Sequence, residues 1–478
     1  MRLKAMRSEF VTMKYLQIST VMSFGSIGRI MRQNYDEKAS QGWECLIAYG
    51  RGDEVPGYHS VRIGNDWDVR IQGLETRLFD WHGYGSKKAT RDFIKKMDEW
   101  SPDVIHLHNI HGYYINFEIL FAWLKAHPER QVIWTLHDCW AFTGHCSYFT
   151  AVKCEQWKSH CSYCSQLRRY PKCCTRGNVG RNFDRKKAAF TGVPNLKLIV
   201  PSHWLEGLVK QSFLQEYPVE VVYNKIDTTV FKPTPSDFRE RYGLQEKKIV
   251  LGVASVWEER KGLNDFIQLA QMLDDNYAIV LVGLTEKQIK QMPKRILGIR
   301  RTNSPKELAS IYTAADVFVN PSVEETFGMT TVEAHACGTD TIVYQETACE
   351  EVSRRCGGRV VQPGVNSLYD AITGINLKKG GDNTLSVAKL ICIPRTANAA
   401  ELAKIYTVAD VFVNPTYEDN YPTVNLEAQA CGTQVITYDT GGCRETLQSQ
   451  NGTLVETAKV ESLCKAINCE TNPLAGQG

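Results

Sequence analysis

Two glutamates, Glu325 and Glu333, have a spacing suited to binding a sugar nucleotide. Seven residues separate them, and the turn between them contains Gly328. Carboxylates accept paired hydrogen bonds from neighbouring hydroxyls, so a ribose and a hexose are suitable partners. A buried strand is predicted over 316–321 and a helix after the turn, which would bring free backbone N–H groups and the positive helix end together. Considered alone, the pair is more often a solvated loop residue and a helix-surface charge.

Two further glycine-bearing turns favour a ligand site over that simpler interpretation. The sequence EERKG at 258–262 follows a predicted strand and brings two cations, Arg260 and Lys261, to its carboxyl end, where they could neutralise a diphosphate. The sequence SFGSIGRI at 23–30 has Gly25 and Gly28 at a similar turn in the first half of the chain. Three such turns indicate one cleft lined from two sides.

The elements that would position these turns alternate along the chain. Short apolar runs alternate with amphipathic stretches, which is typical of an α/β protein with parallel strands. Strands are predicted at 15–19, 44–49, 104–108, 132–136 and 196–200, and, after a polar linker at 221–233, at 248–254, 278–282, 317–320 and 341–344. Two doubly wound Rossmann-like lobes with a ligand cleft between them are therefore predicted.

A stretch near the end of the chain repeats an earlier one. Residues 301–351 and 395–445 share 26 identities in 51 positions, among them ADVFVNP and ACGT. A single repeat of this length indicates duplication rather than a solenoid. The later stretch has no counterpart of 247–262 or 277–283, so it cannot form a complete nucleotide-binding lobe by itself.

The two copies also differ at the positions that matter for chemistry. Asp419 replaces Glu325 with a shorter reach, and Pro422 replaces Gly328 and removes an N–H donor. The first copy is predicted to function and the second to be a degenerate or structural duplicate. The alternative is that 419–427 completes the second lobe and displaces the first copy.

Composition limits the class of protein. The chain has 478 residues, 43% of them hydrophobic and 23% charged, and its net charge of +3 gives no reason to expect nucleic-acid binding. No apolar run reaches the roughly 20 residues of a membrane span, and 1–12 lacks the apolar stretch of a signal peptide. A cytoplasmic protein is predicted, with peripheral contact at the inner membrane face.

A cluster of cysteines predicts a structural metal site. Seven of the sixteen cysteines fall within the 36 residues from 139 to 174. Because a reducing compartment disfavours disulfides, and because C-x2-C is a usual half of a zinc site, a structural zinc is predicted. Its ligands would be Cys146, Cys154, Cys161 and Cys164, with His145, His160, Cys173 and Cys174 as substitutes. The alternative is a group of unrelated buried or oxidised cysteines.

A basic run overlaps this cluster. Residues 166–187 contain eight basic residues and one acidic residue. Such a run is either a solvated loop or a surface that attracts anionic lipid headgroups or the pyrophosphate of a lipid-linked acceptor.

Taken together, these motifs resemble a known enzyme family. The pair Glu325 and Glu333, the sequences ACGT and RKG, His137-Asp138 and NKID at 224–227 are similar to those of the retaining GT-B glycosyltransferases of family 4. WTLHDCWAFTGHC at 134–146 resembles the colanic-acid or capsular-polysaccharide branch. The resemblance covers about 13–373. It departs at Lys225, where relatives have glycine, and at Ser255, where many have arginine.

The resemblance implies a role for each motif residue. Glu333 would hold the donor ribose and Glu325 the transferred sugar, with His137 beside that sugar. Arg260 and Lys261 would stabilise the departing diphosphate, without a catalytic metal. The other implied donor contacts are Phe327, Gly328, Met329 and Thr330 in the second lobe and Gly25, Ser26 and Gly28 in the first. Retention in the family is attributed to same-face attack, so no protein nucleophile is named.

The predicted organisation and function follow. The first lobe spans 13–223 with a cysteine-rich insertion at about 139–187, the second spans 234–373, and a partial duplicate spans 374–470. The chain would transfer a sugar from a UDP- or GDP-sugar to a lipid-linked or growing surface-polysaccharide acceptor. The alternatives are a nucleotide-sugar epimerase on the same fold and a non-catalytic sugar-nucleotide-binding scaffold.

Overall fold

The chain folds into two compact units, Met1–Leu385 and Ser386–Gly478. The computed structural model describes residues 12–374, 396, 398–447, 452–456, 462–463 and 466–467. Parts of the predicted duplicate, including 375–395, lie outside the described residues. In the described part of the chain, no helix is both long and apolar enough to cross a membrane.

The first unit begins with a seven-stranded parallel sheet in the order β3-β2-β1-β4-β5-β6-β7. Its strands are β1 (Lys14–Val21), β2 (Glu44–Arg51), β3 (Ser60–Arg62), β4 (Val104–Leu107), β5 (Gln131–Thr135), β6 (Leu196–Val200) and β7 (Val219–Val221). Its helices are α1 (Gly25–Ser40), α2 (Asp66–Phe79), α3 (Lys87–Trp100), α4 (Phe117–Ala126), α5 (Val179–Phe190) and α6 (His203–Val209). We call this sheet with its helices the first lobe.

A second lobe of the same unit contains a six-stranded parallel sheet in the order β10-β9-β8-β11-β12-β13. Its strands are β8 (Lys248–Val253), β9 (Tyr277–Val282), β10 (Ile296–Ile299), β11 (Val317–Asn320), β12 (Asp340–Tyr344) and β13 (Arg359–Val361). Its helices are α7 (Phe238–Tyr242), α8 (Leu263–Met272), α9 (Glu286–Gln291), α10 (Pro305–Ala314), α11 (Met329–Ala336), α12 (Ala348–Arg355) and α13 (Val365–Thr373). Because β11 and β12 belong to this sheet, the alternative in which the later copy displaces them is wrong.

Both faces of the second sheet are buried. Along β8, Val250 packs in one apolar cluster while Ile249 and Leu251 pack in another. Since neighbouring side chains of a strand point to opposite faces, these two clusters are the two faces of one sheet. Such burial explains the continuous apolar runs that predicted the strands.

All the strands predicted from the sequence occur, each within about two residues of its predicted ends. In these two sheets, the strands that were not predicted are β3, β7, β10 and β13, which form the sheet edges. An edge strand is covered less completely than a central one, so its sequence lacks the continuous apolar run.

The second unit, described by itself, contains a three-stranded parallel sheet in the order β14-β15-β16. Its elements are α14 (Ala399–Val408), β14 (Val411–Asn414), α15 (Thr423–Ala430), β15 (Gln434–Tyr438) and β16 (Gly452–Val455). From α14 to β15, each element begins and ends 94 residues after α10, β11, α11 and β12 respectively.

Candidate active site

Both sheets of the first unit reverse their strand order at a switch point. The reversal lies between β1 and β4 in the first lobe and between β8 and β11 in the second. Ligands of doubly wound sheets bind at the carboxyl ends of the strands flanking such a point. Gly25 follows β1, Lys261 follows β8 and Glu325 follows β11, so these sequence motifs leave the sheets at the switch points.

An ion pair joins the two motifs of the second lobe. The Lys261 ammonium contacts the Glu325 carboxylate, and both side chains are about one-fifth exposed. The backbone holds them together, because the Val323 N–H donates to the Arg260 carbonyl at 3.0 Å. Gly262 permits this approach: its φ is +74°, and an added Cβ would lie 2.6 Å from the Pro321 carbonyl oxygen.

Arg260 lies against an aromatic ring contributed by the cysteine-rich insertion. Its guanidinium carbon is 3.8 Å from the centre of the Tyr148 ring. Nη1 of Arg260 donates to the Glu324 carbonyl at 3.2 Å, and Nε donates to the Glu258 carboxylate at 3.2 Å. The guanidinium is therefore fixed beside the Lys261–Glu325 pair and remains partly accessible.

Glu333 is buried at the other end of the motif. Its side chain is 6% exposed; Oε2 accepts from the Tyr312 hydroxyl at 3.3 Å, and Oε1 is 3.5 Å from Nη1 of Arg29. Burial raises the pKa of Glu333 to about 7 against the opposing effect of Arg29. Arg29 belongs to α1 of the first lobe, so this contact bridges the two lobes.

Two helices begin at the switch points without a side-chain cap. Gly328 precedes α11 with φ +89°, and the N–H groups of Met329 and Thr330 open that helix. Gly25 and Ser26 open α1 in the same way. Uncapped helix N-termini offer backbone donors and a partial positive charge to an anion.

Two glycines at these turns are required by close packing. A Cβ at Gly328 would lie 2.5 Å from the Cys349 sulfur, and one at Gly28 would lie 2.8 Å from the Met22 carbonyl oxygen. The ring of Phe327 is buried, with its centre 6.1 Å from that of Tyr223. Phe327 therefore has its backbone, rather than its ring, available to a ligand.

His137, which follows β5, lies in a row of three histidines with His108, which follows β4, and His106, which lies in β4. Its Nε2 is 3.1 Å from Nδ1 of His108, whose Nε2 is 3.2 Å from Oε1 of Gln17. The rings of His106 and His108 stack with centres 4.2 Å apart. Burial lowers the pKa of His137 to about 4 and that of His106 to about 3. These imidazoles are therefore neutral near pH 7.

The loop carrying Glu325 is held against the first lobe. Oε1 of Glu324 accepts hydrogen bonds from the backbone N–H groups of Phe149 and Thr150 and from the Thr150 hydroxyl. The Thr326 hydroxyl donates to the His137 carbonyl at 2.9 Å, and the Ser202 hydroxyl donates to the Thr326 carbonyl at 2.9 Å. These bonds place the His137 backbone against the loop that carries Glu325.

The predicted zinc site is not found. No group of three or more His, Cys, Asp or Glu residues among those described, which include all of 139–187, is arranged to hold a metal ion. The Cys146 and Cys164 thiols hydrogen-bond to one another, which raises the pKa of Cys146 and lowers that of Cys164 to about 7. Aromatic packing stabilises the insertion instead: the ring of Trp157 lies 4.9 Å from that of Phe149.

Several residues of this site were missed by the sequence reasoning. Arg29 lies in the SFGSIGRI motif, four residues after Gly25, and that proximity was the available signal. Glu324 is adjacent to Glu325, but its neighbours along the chain do not reveal its partners, Phe149 and Thr150, which belong to the first lobe. Tyr148 likewise has its partner, Arg260, in the second lobe. Lys225 stands where the resembled family has glycine. The structure shows no positive φ at Lys225, so its side chain causes no backbone strain there. The Lys225 ammonium is 3.5 Å from the Glu37 carboxylate.

Comparison with known proteins finds similarity to glycosyltransferases. A family model described as glycosyl transferases group 1 matches 236–380, and a second model with the same description matches 384–469. The segments 236–380 and 384–469 are therefore similar to group 1 glycosyltransferases. A further match links the chain to the putative colanic acid biosynthesis glycosyl transferase WcaC of Escherichia coli, at 38% identity over 172 residues.

The matches to curated proteins are partial. The match to WcaC covers 33% of this chain and 41% of that protein. The alpha-galactosylglucosyldiacylglycerol synthase of Streptococcus pneumoniae is 29% identical over 154 residues, covering 29% of this chain and 41% of the synthase. The chain therefore spans about two-fifths of the length of either relative.

Solved structures agree with the GT-B fold. Sucrose-phosphate synthase from Thermosynechococcus elongatus matches with a TM-score of 0.57 at 18% identity, covering 76% of this chain and 89% of that one. The catalytic domain of starch synthase IV from Arabidopsis thaliana, bound to ADP and acarbose, matches with a TM-score of 0.51 at 14% identity, covering 77% and 93%. At these identities the likeness shows the fold of this chain and nothing further.

Proposed function

We propose that this protein transfers a glycosyl group from a nucleotide-diphosphate sugar to an acceptor hydroxyl with retention of configuration. The observation that carries the proposal is the Lys261–Glu325 ion pair at the β8–β11 switch point, beside Arg260 and the uncapped α11. The similarity of 236–380 to group 1 glycosyltransferases supports the same activity.

Leaving-group stabilisation is the contribution we assign to the cations. The bond between the sugar's anomeric carbon and the diphosphate oxygen breaks, and the acceptor oxygen forms a bond to that carbon on the same face. The acceptor's proton passes to the departing diphosphate. Lys261 and Arg260 offset the negative charge that grows on the diphosphate, and one such preplaced donor contributes about 3 kcal/mol to lowering the barrier.

The carboxylates orient the donor. Glu333 accepts the ribose hydroxyls, and Glu325, held by Lys261, accepts a hydroxyl of the transferred sugar. The backbone N–H groups at the start of α11 and of α1, near Gly328 and Gly25, receive the phosphates. His137 is neutral near pH 7 because of its burial, and it acts as a hydrogen-bonding partner of the sugar.

The acceptor we propose is lipid-linked or a growing surface polysaccharide. Support comes from the name of the Escherichia coli relative, a putative colanic acid biosynthesis enzyme. The basic run 166–187 supports peripheral contact with an anionic membrane at the inner, cytoplasmic face. UDP or GDP is the proposed nucleotide of the donor.

The repeated segment is proposed to be a partial, non-catalytic duplicate of the second lobe. The 94-residue offset between equivalent elements supports this origin. Glu427, the counterpart of the buried Glu333, is exposed, and the sheet of the second unit has three strands. A catalytic role for 395–445 would need burial of Glu427 and a cation equivalent to Lys261 beside Asp419.

Thermal stabilisation by UDP and by GDP tests the donor site. A nucleotide present at about 100 times its Kd stabilises the folded state by about 2.7 kcal/mol. We expect one of the two nucleotides to raise the Tm of the wild type and of Glu427→Ala, and to leave the Tm of Glu333→Ala unchanged. Loss of the shift in Glu427→Ala alone would assign the donor site to the repeated segment.

Transfer itself needs a second assay. Incubation with a radiolabelled UDP- or GDP-sugar and lipid-linked acceptors should yield a labelled glycolipid. Interconversion of the free donor without transfer would favour the epimerase, and nucleotide binding without turnover would favour the scaffold. Either outcome would overturn the proposed activity.

A further inference from the structure

Helix α2 of the first lobe exposes an apolar stripe. Trp67 is 69% exposed, Ile71 55%, Leu74 55% and Leu78 42%. Residues separated by three or four positions lie on one side of a helix, so these four side chains form a continuous stripe along α2. Isolated exposed apolar residues are ordinary, but a contiguous apolar patch marks an interaction surface.

The face of α2 that packs on the lobe is polar. Gln72 and Thr76 are fully buried there. The Gln72 amide donates to the Ile115 carbonyl at 3.4 Å and accepts from the Ser86 hydroxyl at 2.9 Å. A surface helix normally buries its apolar side, so this helix has the reverse orientation. The hydrogen bonds hold it in place with its apolar residues directed outward.

Basic residues flank the stripe. Arg70 and Arg77 are exposed on α2, and the Arg70 guanidinium lies 5.3 Å from the centre of the Trp67 ring. The basic run is tied to the end of the same helix, because the Cys174 N–H donates to the Arg77 carbonyl at 2.7 Å. In a second tie, the Thr175 hydroxyl donates to the Leu78 carbonyl at 3.0 Å.

These two hydrogen bonds place further cations near the stripe. Lys172 and Arg176, on either side of Cys174 and Thr175, are both exposed. Two of the three acidic residues of α2 have partners: the Arg62 guanidinium contacts the Asp66 carboxylate, and the Asp68 carboxylate accepts from the Asn65 N–H at 2.9 Å. The third, Glu75, is partly buried, and that burial raises its pKa. The stripe is therefore bordered mainly by cations.

We infer that α2 and the adjoining basic residues form a docking surface for an anionic lipid bilayer. Trp67, Ile71, Leu74 and Leu78 would enter the boundary between headgroups and acyl chains, and the arginines would pair with lipid phosphates. A helix with an apolar face and cations at its border binds in this manner. The inference rests on the peripheral membrane contact of the proposed function and extends it to α2, which would bring the cleft to a lipid-linked acceptor.

Vesicle flotation of the full chain tests this surface. The probes are vesicles of phosphatidylcholine alone and of phosphatidylcholine with phosphatidylglycerol. We expect the wild type to float with the anionic vesicles only. Leu74→Glu should weaken that binding by about tenfold or more, since an apolar contact is replaced by a charge repelled by the lipid.

Two further variants separate the contributions. Val408→Glu changes the net charge equally at a position in the second unit that is 82% exposed, and it should bind vesicles as the wild type does. The double variant Arg70→Gln with Arg77→Gln should lose about 25-fold in binding, because each basic residue near the surface contributes about 1 kcal/mol. High salt should weaken the wild type in the same direction.

Three results would overturn the inference. The first is no flotation of the wild type with anionic vesicles, and the second is an equal loss of vesicle binding in Val408→Glu and Leu74→Glu. The third is that the stripe joins two copies of the chain. The last would appear in sedimentation velocity as a dimer that Leu74→Glu dissociates, with no difference in lipid binding. The nucleotide-induced Tm shift of Leu74→Glu should match that of the wild type, so failure here is distinguishable from failure of the donor site.

Discussion

The segments 301–351 and 395–445 share half of their residues and the same local structure, yet they differ in every feature that builds a site. In both, a buried threonine after the helix donates to a tyrosine carbonyl: Thr339 to Tyr312 and Thr433 to Tyr406, each at 2.5 Å. Shared sequence therefore reproduces shared local packing.

The site residues diverge because their partners come from outside the segment. Glu333 is buried and contacts Arg29 of α1, whereas Glu427 is exposed. Glu325 contacts Lys261, which follows β8, and the described sheet of the second unit begins only with β14. The comparison teaches that a repeated motif keeps its fold while its chemistry depends on neighbouring elements.

The largest expected difference between the segments is in catalysis. Glu325→Ala and Lys261→Ala should each lower kcat/KM for donor turnover by about a hundredfold or more, since a preplaced charge partner contributes about 3 kcal/mol. Asp419→Ala, at the position equivalent to Glu325, should remain within about twofold of the wild type. Release of the nucleoside diphosphate measures all three.

Unchanged Tm values would show that the variants are folded. A comparable loss of turnover in Asp419→Ala would mean that both segments take part in the reaction, and it would contradict the assignment of catalysis to 301–351.

The pH dependence of stability should distinguish the two glutamates next. Burial raises the pKa of Glu333 to about 7 from its ordinary 4.5. Below pH 4.5 the Glu333 carboxyl is protonated in both the folded and the unfolded state, and its contribution to the free energy of unfolding is complete. That contribution is lost as pH rises through about 7. The loss is on the order of 3 kcal/mol, because the unfolded chain ionises first.

Melting curves between pH 4.5 and pH 8 measure this loss. The Tm of Glu333→Gln should fall less over that range than the Tm of the wild type, while Glu427→Gln, altered at an exposed position, should follow the wild type. Parallel curves for the wild type and Glu333→Gln would contradict the assigned burial.

A smaller effect is expected at the turn before the helix. Gly328→Ala should destabilise the first unit by about 1–2 kcal/mol, because φ is +89° and the new Cβ would meet the buried Cys349 sulfur. At the equivalent position, Pro422→Ala should change stability by about 0.5 kcal/mol or less, since Pro422 has a φ of −68° that alanine also adopts. Urea denaturation followed by fluorescence measures both.

A larger loss of stability in Pro422→Ala than in Gly328→Ala would show that the Gly328 turn does not constrain its backbone as the structure indicates. Pro422→Ala also serves as the control for general sensitivity of such turns to substitution.

The smallest expected effect is one that the segments share. Thr339→Val and Thr433→Val should each lose about 1 kcal/mol of local stability, because each removes one buried hydroxyl hydrogen bond. Amide hydrogen exchange in α11 and α15 should show similar increases. A large effect at one site only would mean that the common packing differs between the segments.

Much of the candidate site could be predicted because its residues are close along the chain. The motifs of Glu325, Arg260 and Gly25 each follow a buried strand, and a parallel sheet places such strand ends along one edge. Arg29, Tyr148 and Glu324 were not predicted as site residues, because their partners are more than a hundred positions away along the chain.

The predicted zinc site shows that the spacing of cysteines along the chain does not by itself establish a metal site. The C-x2-C spacing is compatible with a metal site, but a tetrahedral ion needs four ligands around one point. In the structure the Cys146 and Cys164 thiols hydrogen-bond to each other, and no group of ligands for a metal ion forms among the described residues. The lobe boundaries at 223, 234 and 373 stay predictions.

The sequence by itself determined the parallel α/β strands, the turns that carry the charged groups and the repetition of one segment, because these depend on local patterns of apolar residues and glycine. Only the tertiary structure decided which copy buries its glutamate, which lobe supplies Arg29 and which face of α2 meets solvent. Burial and charge pairing depend on distances between groups remote along the chain, and those distances exist only once the sheets and helices have packed.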